Sequence, residues 1–492
     1  MYRRQFLAAA GIAALPRVAF AEPDRDAKLR AMLDKLSGTP SVKFGRVSGF
    51  DPDGLSPASR IDLETVVAGL DADSSMARIF PGGRFGRSPY VIAPNAGAWR
   101  EAAPAAERVE AETAQIEADA ARGVVLPAPL LEKTRAGVAA ATGKANGPAA
   151  EALRKQAALL AELAPKAPAE PGTGRFPGGE DYFALLLARH YGRVDPKDAH
   201  RRMLHKAHEL GRRADKVLRR LGYTKGSVGA RISAAFRDPR FLYSDDNAGR
   251  DRAVADMNAW LARTRPRLPA LFGALPSECG NVAAVRMTPK EEAEGKQGYR
   301  TVPTQTTAGA YYPDLQRIRD RPSWTLPAVV HHELLPGHMI QLPIEAAANP
   351  HPLRLEYAPA FAEGWAIYSE ELMAADGAFA GDDRALLGHL HWLLFRIGRG
   401  LVDTGVHIGH ETLEETSSKL AAFQGEAAYF APMAQDIERI CIEPAMRAAE
   451  ALTWLDLHDL GTKAKRNGPE SLRKFHRELL ANGRRRTAVT RA

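Results

Sequence analysis

The chain has 492 residues, 45% of them hydrophobic and 26% charged, and its 67 basic and 59 acidic side chains leave a formal charge of +8. That balance excludes wholesale disorder and a collagen-like repeat, and two cysteines, Cys279 and Cys441, allow at most one bridge rather than a disulfide scaffold. Much of the basic excess sits at the ends, with Arg3, Arg4 and Arg17 in front and Arg484, Arg485, Arg486 and Arg491 behind. This distribution forms no binding stripe, so no nucleic-acid partner is expected.

Residues 1–21 combine a basic start, an apolar run from Phe6 to Leu15 and Ala19-Phe20-Ala21, the layout of an export signal cleaved after Ala21. Arg3-Arg4-Gln5-Phe6-Leu7 resembles a twin-arginine motif. The apolar run is well short of the roughly 20 residues that span a bilayer. The expectation is a periplasmic or secreted protein without a stable membrane span.

From residue 22 to 175 helical spacing dominates, with Ala-rich helices over 97–165 broken at Gly123–Pro127 and Gly147-Pro148. A Pro- and Gly-rich loop over 165–179 marks the main expected break. A second, catalytic helical region then covers 176–480, starting with a basic helical stretch over 182–223. His205 and His208 there have one-turn spacing, but Arg201, Arg202, Lys206, Arg212 and Arg213 surround them, so a solvated basic face is expected rather than a cation site. β-branched residues and glycine predict short strands within 282–312. From Trp324 the pattern is helical again, up to a basic tail over 481–492. The fold class expected is mostly α, with a small sheet just ahead of the richest motif.

That motif is His331-His332-Glu333-Leu334-Leu335-Pro336-Gly337-His338-Met339-Ile340-Gln341, which holds three of the chain's 14 histidines. Imidazole and carboxylate together suit a divalent metal, zinc first. The usual zinc-peptidase signature sets two histidines four apart on one helix face. Here proline stands at that fourth position and the histidine comes two residues late. Residues six apart differ by about 240° on a helix, so His332 and His338 meet only if the helix is disrupted. Pro336 and Gly337 are residues that disrupt it. Glu333 falls within the apolar stripe of Val329, Val330 and Leu334, His332 flanks it, and His331 points away from it. Glu333 and His332 are therefore the functional candidates, and His331 is expected to support them or be exposed. The bland alternative is a buried hydrogen-bonded cluster without metal.

The spacing His332-Glu333-x-x-Pro336-Gly337-His338-x-x-Gln341 resembles the signature of the bacterial family called domain of unknown function 885, itself similar to gluzincin metallopeptidases. Ala362-Glu363-Gly364-Trp365-Ala366-Ile367-Tyr368-Ser369-Glu370 is similar to that family's second block and to the gluzincin ligand helix. The resemblance implies one Zn²⁺ per chain held by His332, His338 and Glu363, with Glu370 supporting them or replacing Glu363. A third block, Arg399-Gly400-Leu401-Val402-Asp403-Thr404-Gly405-Val406-His407, implies oxyanion stabilisation by His407 and binding of a substrate carboxylate by Arg399. Tyr312 closes the segment Thr306–Tyr312, where zinc peptidases carry an edge strand that pairs with substrate.

The reading that results is an exported zinc-dependent hydrolase with a helical, gluzincin-like body. Its substrate is a peptide or another small amide, and Glu333 is its general base. The alternatives are a catalytically degenerate protein that binds peptides or envelope polymers, and a metal-dependent hydrolase of non-peptide amides or esters.

Overall fold

Proline and capping side chains set many of the helix starts. The computed structural model describes residues 23–79, 88–425 and 433–488, so the expected leader lies outside the described residues. Helices α1 (Pro23–Asp34), α2 (Pro40–Val47) and α3 (Pro57–Ile79) all begin on proline, whose missing N–H has no partner to lose there. The Ala-rich stretch forms α4 (Ala106–Ala120), α5 (Ala128–Thr142) and α6 (Gly147–Leu163), interrupted near the expected breaks. The stretch over 182–223 is two helices, α7 (Gly179–His190) and α8 (Pro196–Arg220). Asp195 caps the second by accepting from the N–H groups of Lys197 and Asp198, a start signal that apolar periodicity does not register.

After α9 (Asn247–Thr264) come β1 (Val282–Ala284), β2 (Tyr299–Thr301) and β3 (Gly309–Tyr312). Their order is β1-β3-β2, with β1 parallel and β2 antiparallel to β3. The segment expected as an edge strand is therefore the centre of the sheet. Its backbone is paired on both sides and has no row of groups left for a substrate.

Of the helices that follow the sheet, six position the site and its support: α10 (Leu326–Glu333), α11 (His338–Ala348), α12 (Ala360–Ala375), α13 (Asp383–Ile408), α14 (Met446–Arg466) and α15 (Pro469–Leu480). The fold is mostly α, as expected. Helix α13 packs along α8, and α12 along α14. Gly364 makes the second contact close, because a Cβ there would overlap the Thr453 side chain.

One apolar core runs from Met76 to Leu480 and crosses the 165–179 loop. The core is continuous across this loop, where the sequence placed its main break. The loop's Thr173 N–H donates to His407 Nδ1 at 3.1 Å, and a Cβ on Gly172 would overlap the Val406 carbonyl. Glycine serves close approach here rather than freedom of a linker. A smaller cluster of Leu29, Leu33, Val47, Leu55, Leu63, Val66 and Leu70 joins α1–α3 to Tyr357. The basic C-terminal stretch also folds back through residue 488. Arg484 pairs with Glu345 at 2.6 Å, and the buried Arg486 donates to the Ala188 carbonyl. Cys279 and Cys441 are buried free thiols, each pushed up to about 12 by burial. Among the described residues no helix is long and apolar enough to cross a membrane.

Candidate metal centre

Helix α10 stops at Glu333 and α11 starts at His338. Between them the Leu335–Pro336 peptide is cis, and Leu334 leaves helical geometry at φ −110° and ψ −106°. The chain folds back on the last turn of α10 so tightly that a Cβ on Gly337 would overlap the carbonyl oxygen of His332. This break returns His338 to His332, with ring centroids 5.0 Å apart and planes at 89°.

Helix α12 brings Glu363 between the two rings. Its Oε2 lies 3.3 Å from His332 Nε2 and its Oε1 lies 3.5 Å from His338 Nε2. One ligand atom from each of the three residues falls within 4.8 Å of the others. Behind them, His332 Nδ1 is 2.8 Å from Glu370 Oε1. A proton assigned to Nδ1 satisfies that carboxylate and leaves the Nε2 lone pair facing the gap. Neither ring nitrogen of His338, only 1% exposed, has a hydrogen-bond partner. Two imidazoles, one carboxylate and an orphaned buried ring nitrogen fit a tetrahedral cation with one open position. Glu363 would be the third donor to such a cation, and Glu370 contacts His332 from behind.

Glu333, at the last turn of α10, meets Arg300 of β2. Arg300 Nη2 and Nε lie 2.7 and 3.0 Å from the same oxygen, Glu333 Oε2. Burial pushes the Glu333 carboxyl up, but Arg300 and the two imidazoles outweigh it and hold it below its ordinary value. Glu363 is likewise raised by burial and pulled further down by His332 and His338, to well below the usual carboxylate range. Both carboxylates are ionised at neutral pH.

The second block also holds the break in place. Trp365 Nε1 donates to the carbonyls of Pro336 and Gly337, both at 3.2 Å. Ser369 Oγ reaches the Pro336 carbonyl at 3.4 Å. In this block Glu363 faces both imidazoles, Gly364 makes the close helix contact, Trp365 and Ser369 clamp the loop, and Glu370 contacts His332.

The family described as Bacterial protein of unknown function (DUF885) matches residues 94–485. The chain belongs to this family. No curated protein matches it. In fold it is similar to "the putative lipoprotein from Colwellia psychrerythraea", with a TM-score of 0.74 and 21% identity over 96% of this chain and 90% of that one. A second such protein, of unknown function and from Shewanella oneidensis, gives a TM-score of 0.68 and 15% identity over 96% and 92%. These likenesses concern the fold.

The family's third block lies away from the centre. His407 is eleven residues beyond Arg396, the α13 residue that touches the site, or about 16 Å along the helix. Its Nδ1 accepts from Thr173 N–H, its Nε2 donates to the Ile440 carbonyl at 3.0 Å, and its ring stacks on Phe183. No donor remains for an oxyanion, so the role expected of His407 is corrected to a structural one. Arg399 is corrected likewise: it is 4% exposed and paired with Asp436 at 3.0 Å. Tyr312 stacks on Tyr299 at 4.4 Å, and strand alternation puts that pair on the sheet face opposite Arg300 and Tyr311. Tyr311, not Tyr312, shares the face of the site. His331 is fully buried, accepting from Trp260 Nε1 at 3.1 Å. Helix α10 packs against α9, α12 and α13 at once, so the side turned away from the Val329–Val330 stripe is buried too. His205 and His208 are exposed on α8, as expected.

Two site residues escaped the sequence reading, Arg300 and Arg396. Arg396 Nη2 lies 3.2 Å from His332 Nε2. A signal for it exists: Arg396 interrupts the apolar run Trp392-Leu393-Leu394-Phe395 before Ile397, where a charge needs a buried partner.

Proposed function

We propose that this chain is an exported, metal-dependent hydrolase of peptides whose centre works in the gluzincin manner. The observation that carries the proposal is the convergence of His332 Nε2, His338 and Glu363 within 4.8 Å, with Glu370 behind His332. A cation held by these three residues, zinc by the nature of the donors, supplies polarisation of the carbonyl under attack and acidification of the attacking water. The remaining work falls to side chains of the chain. Glu333, kept ionised and oriented by Arg300, accepts a proton from the water as its oxygen bonds to the carbonyl carbon. The same carboxyl returns that proton to the leaving nitrogen as the C–N bond breaks, leaving a carboxylic acid and an amine. The leader and the lipoprotein names of the two structural neighbours accord with export.

The test is metal analysis by mass spectrometry of protein purified without chelator and refilled with zinc, together with turnover of a peptide panel. One zinc per chain is expected, lost in His332→Ala and kept in Glu333→Gln, with turnover in the latter reduced about 10²- to 10⁴-fold. No stoichiometric zinc in the refilled protein sinks the proposal. That outcome favours the second reading, a peptide binder without metal, for which Arg396 pressed on His332 Nε2 is the supporting observation. Zinc with turnover of small amides or esters but no peptide points to the non-peptide hydrolase.

A further inference from the structure

The side chain of Arg396 is 9% exposed, and its Nε has no partner. Trp392 and Phe395 pack on the guanidinium, with ring centroids at 5.4 and 5.5 Å. Its polar contacts among the described residues are His332 Nε2 at 3.2 Å and Glu363 Oε2 at 3.9 Å. Both are atoms that a cation in the centre would take. A loaded centre therefore leaves this guanidinium buried with no hydrogen-bonded acid, since the nearby Glu370 is held by His332, and that is costly unless a ligand brings an anion.

The surroundings offer no substitute. Asp436 lies 3.0 Å from Arg399 Nε and Glu450 lies 2.6 Å from Arg447 Nη1, so each of these acids already faces another arginine. Arg300 reaches the same centre from β2 and is held by Glu333.

We infer that the substrate carries a carboxylate beside the bond that is cleaved, and that Arg396 binds it in the loaded centre. A guanidinium fork matches a carboxylate through two parallel hydrogen bonds. The carboxylate is not consumed; it fixes the register of the chain against Glu333 and selects which amide is cut. This rests on the metal-dependent reading above and narrows it to peptides presenting either a free C-terminal carboxylate or an acidic side chain.

The experiment is calorimetric titration of zinc-refilled Glu333→Gln protein, which binds without turning over. Three N-acetylated pentapeptides serve as probes: poly-alanine with a free C-terminus, its C-terminal amide, and that amide with one internal aspartate. At least one carboxylate-bearing peptide is expected to bind about tenfold or more tightly than the neutral amide. That gap should close when Arg396→Gln is added. Preference for the free acid identifies a terminal carboxylate, and preference for the aspartyl amide identifies a side chain. Equal affinity for all three, with zinc still bound, overturns the inference and leaves the metal reading standing. No zinc in the refilled protein overturns the metal reading first and the inference with it. If Arg396→Gln does not fold, Arg396→Lys serves instead, since it keeps the charge but not the fork. A weakened preference in that variant supports the role of Arg396, and an unchanged one overturns it.

Discussion

His338 and His407 are equally buried, at 1% and 0% exposure, but their neighbours treat them in opposite ways. His407 has a backbone partner on each ring nitrogen and an aromatic ring against its face. His338 has no hydrogen bond on either nitrogen and faces a carboxylate shared with His332. Burial does not separate a ligand from a core residue. What separates these two is that the fold satisfies both ring nitrogens of His407, whereas His338 faces a carboxylate shared with a second imidazole. The same contrast divides the arginines of α13: Arg399 is closed off by Asp436, whereas Arg396 leans on atoms of the centre.

Acid tests the buried histidines outside the centre most severely. Burial holds His389 down to about 3 and His391, His407 and His476 down to about 4. The unfolded imidazoles take up protons below about 6.5, while the folded ones stay neutral to about 4. The unfolded state therefore binds more protons in that window. Stability is fully present above it and falls as pH drops, by up to about 1.4 kcal/mol per pH unit for each histidine. Thermal melting followed from pH 7 to pH 4 should show a steep loss of Tm; a flat profile would mean that these rings are not held neutral.

A methyl group at the break comes next. Gly337→Ala places a Cβ on the His332 carbonyl, backbone that cannot move aside without shifting the ligand. A stability loss of about 3 kcal/mol or less is expected, accompanied by loss of zinc binding. Native zinc affinity in this variant would show that the turn does not position His338.

Glu370→Gln removes the carboxylate behind His332 while preserving shape. A drop of about 10- to 100-fold in zinc affinity is expected, with Tm nearly unchanged in the metal-free protein. His407→Gln should do the reverse, lowering stability by about 1–2 kcal/mol for two disturbed buried hydrogen bonds and leaving zinc content untouched. If His407→Gln loses zinc and Glu370→Gln keeps it, the contrast between the two regions is wrong.

The helices and their breaks were legible because Ala-rich periodicity, Gly, Pro and capping residues act within a few positions of one another. The need for a broken helix between His332 and His338 was legible for the same reason, since a late histidine and a Pro-Gly pair are local facts. Glycine looks the same in a linker and in a close contact, so the 165–179 loop reads as a break although the core runs across it. Only the carbonyl of Val406, more than 200 residues away, tells them apart. Strand alternation would have favoured Tyr311 over Tyr312 had the pairing with Arg300 been known, but pairing is a long-range property.

The sequence by itself determined a mostly helical chain with a short sheet, the interrupted helix, and a set of residue types suited to a cation. Tertiary structure alone decided that Glu363 lies between the rings and Glu370 behind one of them, that His407 is satisfied elsewhere and Arg399 faces Asp436, and that Arg300 and Arg396 reach the centre. The reason is physical. Backbone conformation is set by neighbours along the chain, whereas the charge and hydrogen bonding of a buried side chain depend on whatever packing brings against it.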